Sequence, residues 1–304
     1  MAVLAITGGT GFVGGHLLDL AIRKGHKVRA LTRRVQPHRA GLTWIRGDLS
    51  DDAALSELCC GADAVIHVAG VVNAKDERGF HAGNVAGTAA MLSAAAGCNL
   101  RRFVHVSSLS AREPDLSLYG ASKAEAEALV RQSAFDWVIV QPPAVFGPGD
   151  TEMVDLYRLA AHGLALLPGR GRFSMIYVAD LAAALLALAL SDKGSRQTFE
   201  IAGPPAALSH GEVAEMIGAA LGRRVRKLRL PTSALKLGAG IDTLRSRISG
   251  RLPKLSRDRA RYIAHPDWIA DPAALMALGI WTPETPVADG IRRTADWYRA
   301  EGVL

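Results

Sequence analysis

The chain has 304 residues, 49% of them apolar and 6% aromatic, with 36 Lys/Arg against 29 Asp/Glu for a net charge of +7. That composition suits a packed α/β protein and excludes a disordered one, while the most apolar run, 181–190, falls far short of the ~18 residues a membrane span needs and reads as a buried helix. Cys59, Cys60 and Cys98 offer neither metal-ligand spacing nor an even disulfide set. With no leader before the first strand, a reducing, cytoplasmic setting is expected.

Short β-rich runs alternate with helical stretches along the first half. "AVLAIT" (2–7) precedes a helix over 11–24, and "KVRALT" (27–32) and "LTWIRGD" (42–48) precede one near 51–60. "AVIHVAG" (64–70) is followed by a helix over 81–96, "RFVHVSS" (102–108) by one over 119–133, and "DWVIVQPP" (136–143) closes the series. Strands separated by such helices predict an α/β fold, a Rossmann-type doubly wound parallel sheet. Residues 1–145, with 174–203 returning to the sheet, are expected to form the dinucleotide-binding domain. Residues 146–173 and 204–304 are expected to form a smaller, mostly helical substrate lobe.

Between the first strand and its helix lies "TGGTGFVGG", with Gly8, Gly11 and Gly14 at three-residue spacing. Side chains are absent where the backbone must turn and approach a pyrophosphate at a helix N-terminus, so Gly8, Thr10, Gly11, Phe12, Val13 and Gly14 are candidate cofactor contacts. The second strand ends in Thr32, Arg33 and Arg34, where an acid would hold the ribose of NAD. An arginine there accommodates a 2′-phosphate, so NADP(H) is expected. NAD is the alternative, should Arg33 only stack on the adenine.

Tyr119 and Lys123 are one helical turn apart and leave the same helix face. An ammonium beside a phenol lowers its pKa and suits it to acid/base work. Ser107 or Ser108, at the end of the preceding strand, would hold a substrate oxygen. Strand alternation lets only one of them face a cleft.

These motifs together resemble the extended branch of the short-chain dehydrogenase/reductases, the NAD-dependent epimerase/dehydratase and dihydroflavonol-reductase-like group. "GDLSD" (47–51), "HVAG" (67–70), "NVAGT" (84–88), "HVSS" (105–108), "YGASK" (119–123), "PPAVFGPGD" (142–150) and "YVADLAAA" (177–184) carry the resemblance. It implies Asp48 and Leu49 at the adenine, Ala69 and Gly70 on the ribose side, and Pro142 and Val145 at the nicotinamide. It further implies Ser108 as the oxygen anchor, Tyr119 as acid/base, Lys123 as ribose ligand, Asn84 as a brace and a homodimer. Asn84 also reads as an ordinary helix-surface amide.

Gln141 and Ala144 stand where nucleotide-sugar enzymes of the branch commonly carry arginine and asparagine, and Phe146 replaces a tyrosine. An apolar ketone or alcohol substrate is therefore favoured over a nucleotide sugar, whose epimerase or dehydratase would retain NAD. The eleven-residue step from Ser108 to Tyr119 resembles members related to the NADPH-binding accessory subunit of complex I, so a non-catalytic binding or assembly role is the other alternative. Trp268, Trp281 and Trp297 read first as core anchors, and Met153 and Phe173 as candidates for the substrate side. His210 and His265 have no neighbours that make a metal site. Residues 221–262 hold thirteen Lys/Arg against two Asp. A solvated face, an anionic substrate or contact with an anionic membrane surface explains them better than nucleic acid, because no recognition motif accompanies the charge.

Overall fold

The structure, a computed structural model, describes residues 1–169, 171–230, 240, 261–263 and 265–304. Two compact units emerge, the first made of Met1–Pro142, Ala179–Ile201 and Pro272–Thr282, the second of Pro143–Val178, Ala202–Asp271 and Pro283–Leu304.

In the first unit, strands β1 (Val3–Thr7), β2 (Lys27–Thr32), β3 (Leu42–Arg46), β4 (Ala64–His67), β5 (Arg102–Val106), β6 (Asp136–Gln141) and β11 (Gln197–Glu200) form one sheet in the order β11-β6-β5-β4-β1-β2-β3. Every pairing is parallel. All strands therefore end at one edge, and the order reverses between β1 and β4, where doubly wound sheets bind their ligands. The strand apolarity follows from burial on both faces: β4 and β5 are buried throughout.

Helices α1 (Phe12–Arg23), α2 (Asp52–Cys59), α4 (Gly87–Gly97), α5 (Leu118–Gln132) and α7 (Val178–Ala189) make the crossovers. Leu55 and Leu58 of α2 and Met91 and Ala95 of α4 share a core cluster with Val65, Phe103 and Ile139 of the sheet. A short helix α3 (Glu77–Phe80) runs through a π-helical stretch, His81–Ala86, into α4.

Three expectations are corrected, two of them in this unit. Because α2 and α4 pack side by side, their C-terminal ends meet, and Cys60 and Cys98 form a disulfide with Cα atoms 4.8 Å apart; Cys59 is the buried free thiol. The cysteine argument for a reducing compartment therefore falls. Pro272–Thr282, expected in the substrate lobe, belongs to the first unit and carries the short helix α9 (Ala273–Met276). There Trp281 Nε1 donates to the Asp180 carbonyl at 3.0 Å, and Lys193 Nζ donates to the Leu278 carbonyl at 2.8 Å.

The second unit contains β7 (Ala144–Phe146) paired with β10 (Met175–Tyr177), β9 (Arg172–Phe173) between β12 (Leu208–Ser209) and β14 (Asp267–Trp268), and β8 (Leu164–Leu167) beside β13 (Arg226–Arg229). Residues 174–178, expected to return to the sheet of the first domain, lie here because β10 pairs with β7. Helices α6 (Val154–Ala161), α8 (His210–Ala220) and α10 (Val287–Ala300) enclose a core of Phe146, Tyr157, Tyr177, Ile217, Ile291 and Tyr298. Ser209 caps α8 in a reciprocal capping box with Glu212, satisfying donors that would otherwise face no partner. Trp268 and Trp281 are buried and Trp297 packs against the core of the second unit, as anchors would. No described helix is long and apolar enough to cross a membrane.

Candidate active site and cofactor cleft

Six of the expected positions follow directly from strand ends. The glycine loop leaves β1, Arg33 leaves β2, Asp48 and Leu49 follow β3, Ala69 and Gly70 follow β4, Ser108 follows β5 and Pro142 follows β6. Parallel pairing puts all of these on one edge of the sheet. Val145 alone belongs to the second unit, half-buried in β7.

At the loop, a Cβ on Gly14 would stand 2.0 Å from the Gly8 carbonyl oxygen, a contact no side chain survives. The loop thus closes tightly on α1, whose N-terminus carries no side-chain cap, an arrangement that pyrophosphate binding can use. Beside it opens a cleft of about 550 Å³ whose walls include Thr10, Thr32, Arg33, Arg34, Arg39 and Trp44. The Thr32 hydroxyl donates to the Arg34 carbonyl at 2.7 Å, fixing the turn that presents both guanidinium groups. Arg39 was not singled out by its spacing; it pairs with Asp19 at 2.6 Å and lines the same cleft. Asp48 is held below its usual carboxylate range by hydrogen bonds from the Ser50 hydroxyl and amide, with a smaller contribution from Arg33. Glycine loop, open helix end and basic wall fit a nicotinamide dinucleotide.

The Ser–Tyr–Lys set lies just after β5 and on α5. Ser117 caps α5 by accepting from the Gly120 amide at 3.0 Å, which sets the helix start and puts Tyr119 in its first turn. The hydroxyls of Ser108 and Tyr119 hydrogen-bond. The Ser110 hydroxyl donates to Ser108 Oγ at 2.9 Å, and the Ser110 amide does so at 3.2 Å. Of the two candidate serines, Ser108 therefore meets Tyr119; Ser107 Oγ is buried with no partner among the described residues.

Lys123 is 4% exposed and its Nζ donates to the Val106 carbonyl at 2.8 Å. Burial lowers its pKa to about 8, against the opposing pull of Glu127. The expectation that Lys123 depresses the Tyr119 pKa is corrected: burial raises it, and the bond to Ser108 is what opposes the rise. A phenol that keeps its proton is suited to giving one away.

Asn84 is no surface amide. The π-helical stretch turns it inward, 2% exposed, where it accepts from the Val71 amide at 2.8 Å and donates to the Val71 carbonyl at 3.0 Å and to Ser122 Oγ at 2.9 Å. It thereby ties the turn after β4 to α5. A Cβ on Gly70 would lie 2.8 Å from Asn84 Oδ1 and 3.8 Å from Lys123 Nζ, so that turn passes close over the lysine.

Two buried histidines lie behind the site. The Thr88 hydroxyl donates to the Asn84 carbonyl at 2.6 Å, so it accepts from His67 Nε2 at 3.2 Å; Nδ1 then accepts from Thr7 at 2.8 Å. Burial, with the charge of Lys123, lowers His67 to about 3 and keeps it neutral. His105 stacks on it at 5.5 Å, and neither of its ring nitrogens has a partner among the described residues. Glu127, one further turn along α5 from Lys123, accepts from Gln141 Nε2 at 2.8 Å and Arg131 Nη2 at 2.5 Å. The spacing Tyr119, Lys123, Glu127 was legible in the sequence and would have found it.

A parallel sheet with this loop, this basic cleft and these side chains on its C-terminal edge defines an NAD(P)-dependent oxidoreductase of the short-chain class. The chain belongs to the NAD dependent epimerase/dehydratase family, whose profile matches residues 4–202. It is 36% identical over 309 residues to a ceramide reductase of Caulobacter vibrioides, covering 99% of this chain and 96% of the relative. It is 29% identical over 328 residues to a 2-alkyl-3-oxoalkanoate reductase of Stenotrophomonas maltophilia, covering 95% and 97%. Among solved structures, MoeE5 in complex with UDP-glucuronic acid and NAD superposes with a TM-score of 0.76 over 99% of this chain and 100% of that one at 22% identity, a likeness of fold.

Proposed function

We propose that the protein is an NADP(H)-dependent reductase of a ketone borne on a long alkyl chain. The hydrogen bond between Ser108 and Tyr119, with Lys123 one turn behind, carries this reading. When bound, the dinucleotide would supply the hydride for the carbonyl carbon. Ser108 donates to the carbonyl oxygen and Tyr119 gives that oxygen its proton as negative charge develops. Lys123 then faces the phenolate with its ammonium, and Asn84 holds the surrounding turn in place. Arg33 and Arg34 at the end of β2 favour the phosphorylated cofactor over NAD.

The alkyl-chain substrate is supported by the two reductase relatives, which are named for ceramide and for a 2-alkyl-3-oxoalkanoate. A nucleotide sugar is disfavoured by Gln141, whose amide is buried and bonded to Glu127 rather than presented to a ligand. Tyr119→Phe tests the assignment: kcat for ketone reduction should fall about 10²–10⁴-fold while NADPH affinity stays within about twofold. Wild-type kcat in that variant would overturn it.

A further inference from the structure

The ribbon formed by β8 and β13 has one face turned to the outside. On β8, Ala165 and Leu167 pack inward against Ala214, while the alternate residues Leu164 and Leu166 are 36% and 39% exposed. The parallel register sets Arg226 beside Leu164 and Leu228 beside Leu166, and Leu228 is 38% exposed. Three leucines and an arginine thus share one outer face. Around them Arg223 and Arg224 are also exposed, and none of these three arginines has an acidic partner among the described residues; on the opposite face, in register with Ala165 and Leu167, Lys227 pairs with Glu215 and Arg229 is exposed.

We infer that this face seats the protein on a membrane surface carrying anionic headgroups. A bilayer interface presents anionic groups with an apolar layer a few ångströms beneath them, which matches leucines rimmed by arginines. A polyanion such as nucleic acid would engage the arginines and leave the leucines in water. The purpose of the contact rests on the proposed alkyl-chain substrate, which resides in bilayers; the contact itself rests on the ribbon alone. Each arginine near the headgroups contributes about fivefold to partitioning, and the contribution falls with salt. The further cations of the basic segment, between positions 231 and 260, lie outside the described residues.

The full-length protein is sedimented with phosphatidylcholine vesicles, with and without phosphatidylglycerol, and with duplex DNA as a competing polyanion. Binding to the anionic vesicles alone, lost about tenfold or more in Leu164→Ser/Leu166→Ser/Leu228→Ser, is expected. Absence of binding, equal binding to neutral vesicles, or undiminished binding by the triple variant would overturn the inference, as would DNA displacing the vesicles. Thermal melting and NADPH-dependent reduction of a short soluble ketone should match wild type, which shows the variant folded. Vesicle binding without turnover of any ketone would leave the docking face standing and sink the proposed activity instead.

Discussion

On the proposed reading, the single side chain of Arg33 selects the cofactor. The end of β2 is fixed by a single chemical choice, base or acid, since both occupy the same turn after Thr32. A guanidinium forms charge-assisted hydrogen bonds to a phosphate that a ribose hydroxyl cannot match. Arg33→Ala should therefore reduce the preference for NADPH over NADH by about 10–100-fold, with little effect on NADH itself. Competitive titration of the two cofactors reads this directly, and unchanged selectivity would contradict the phosphate assignment. The place of Arg33 in the cleft was legible because it follows from chain position alone. Arg39 was not, since its place in the cleft depends on a loop path and on its pairing with Asp19.

On helix α5, Tyr119, Lys123 and Glu127 recur every four residues, so a single face carries the proposed proton donor, its neighbouring ammonium and a buried carboxylate. Glu127 raises the Lys123 pKa, while burial lowers it to about 8. Burial, with the charge of the same lysine, keeps His67 and His105 on β4 and β5 neutral, and Arg131 adds to the effect on His105 from further along the helix. Lys123 is charged below about pH 8, so the ketone reduction rate should hold at neutral pH and fall as pH rises through about 8. Glu127→Gln withdraws the opposing pull, so the fall should move to lower pH, an effect a merely structural substitution would not produce. A pH–rate profile with an unmoved descending limb would refute this role. Helical spacing announced Tyr119 and Lys123, but the upward shift of Tyr119 could not be read from it, because burial depends on the packed surroundings and not on spacing.

At the scale of the molecule, the seven-stranded sheet was readable because each strand is a short apolar run set off by a helix of crossover length. What remained hidden were pairings between distant segments. Cys60 and Cys98 are 38 residues apart and meet only because α2 and α4 lie together. Pro272–Thr282 joins the first unit through Trp281 and Leu278, which no local pattern signals. The departures at Gln141 and Ala144 pointed away from nucleotide sugars, and the bond from Gln141 to Glu127 gives the first of them a structural reason.

The most direct test of the whole account is to follow nicotinamide absorbance while the purified protein and NADPH meet ketones of increasing alkyl length, beside a parallel incubation with UDP-sugars. The account predicts NADPH oxidation that strengthens with chain length and no conversion of the sugars. Epimerised UDP-sugar with no net NADPH consumption would contradict it.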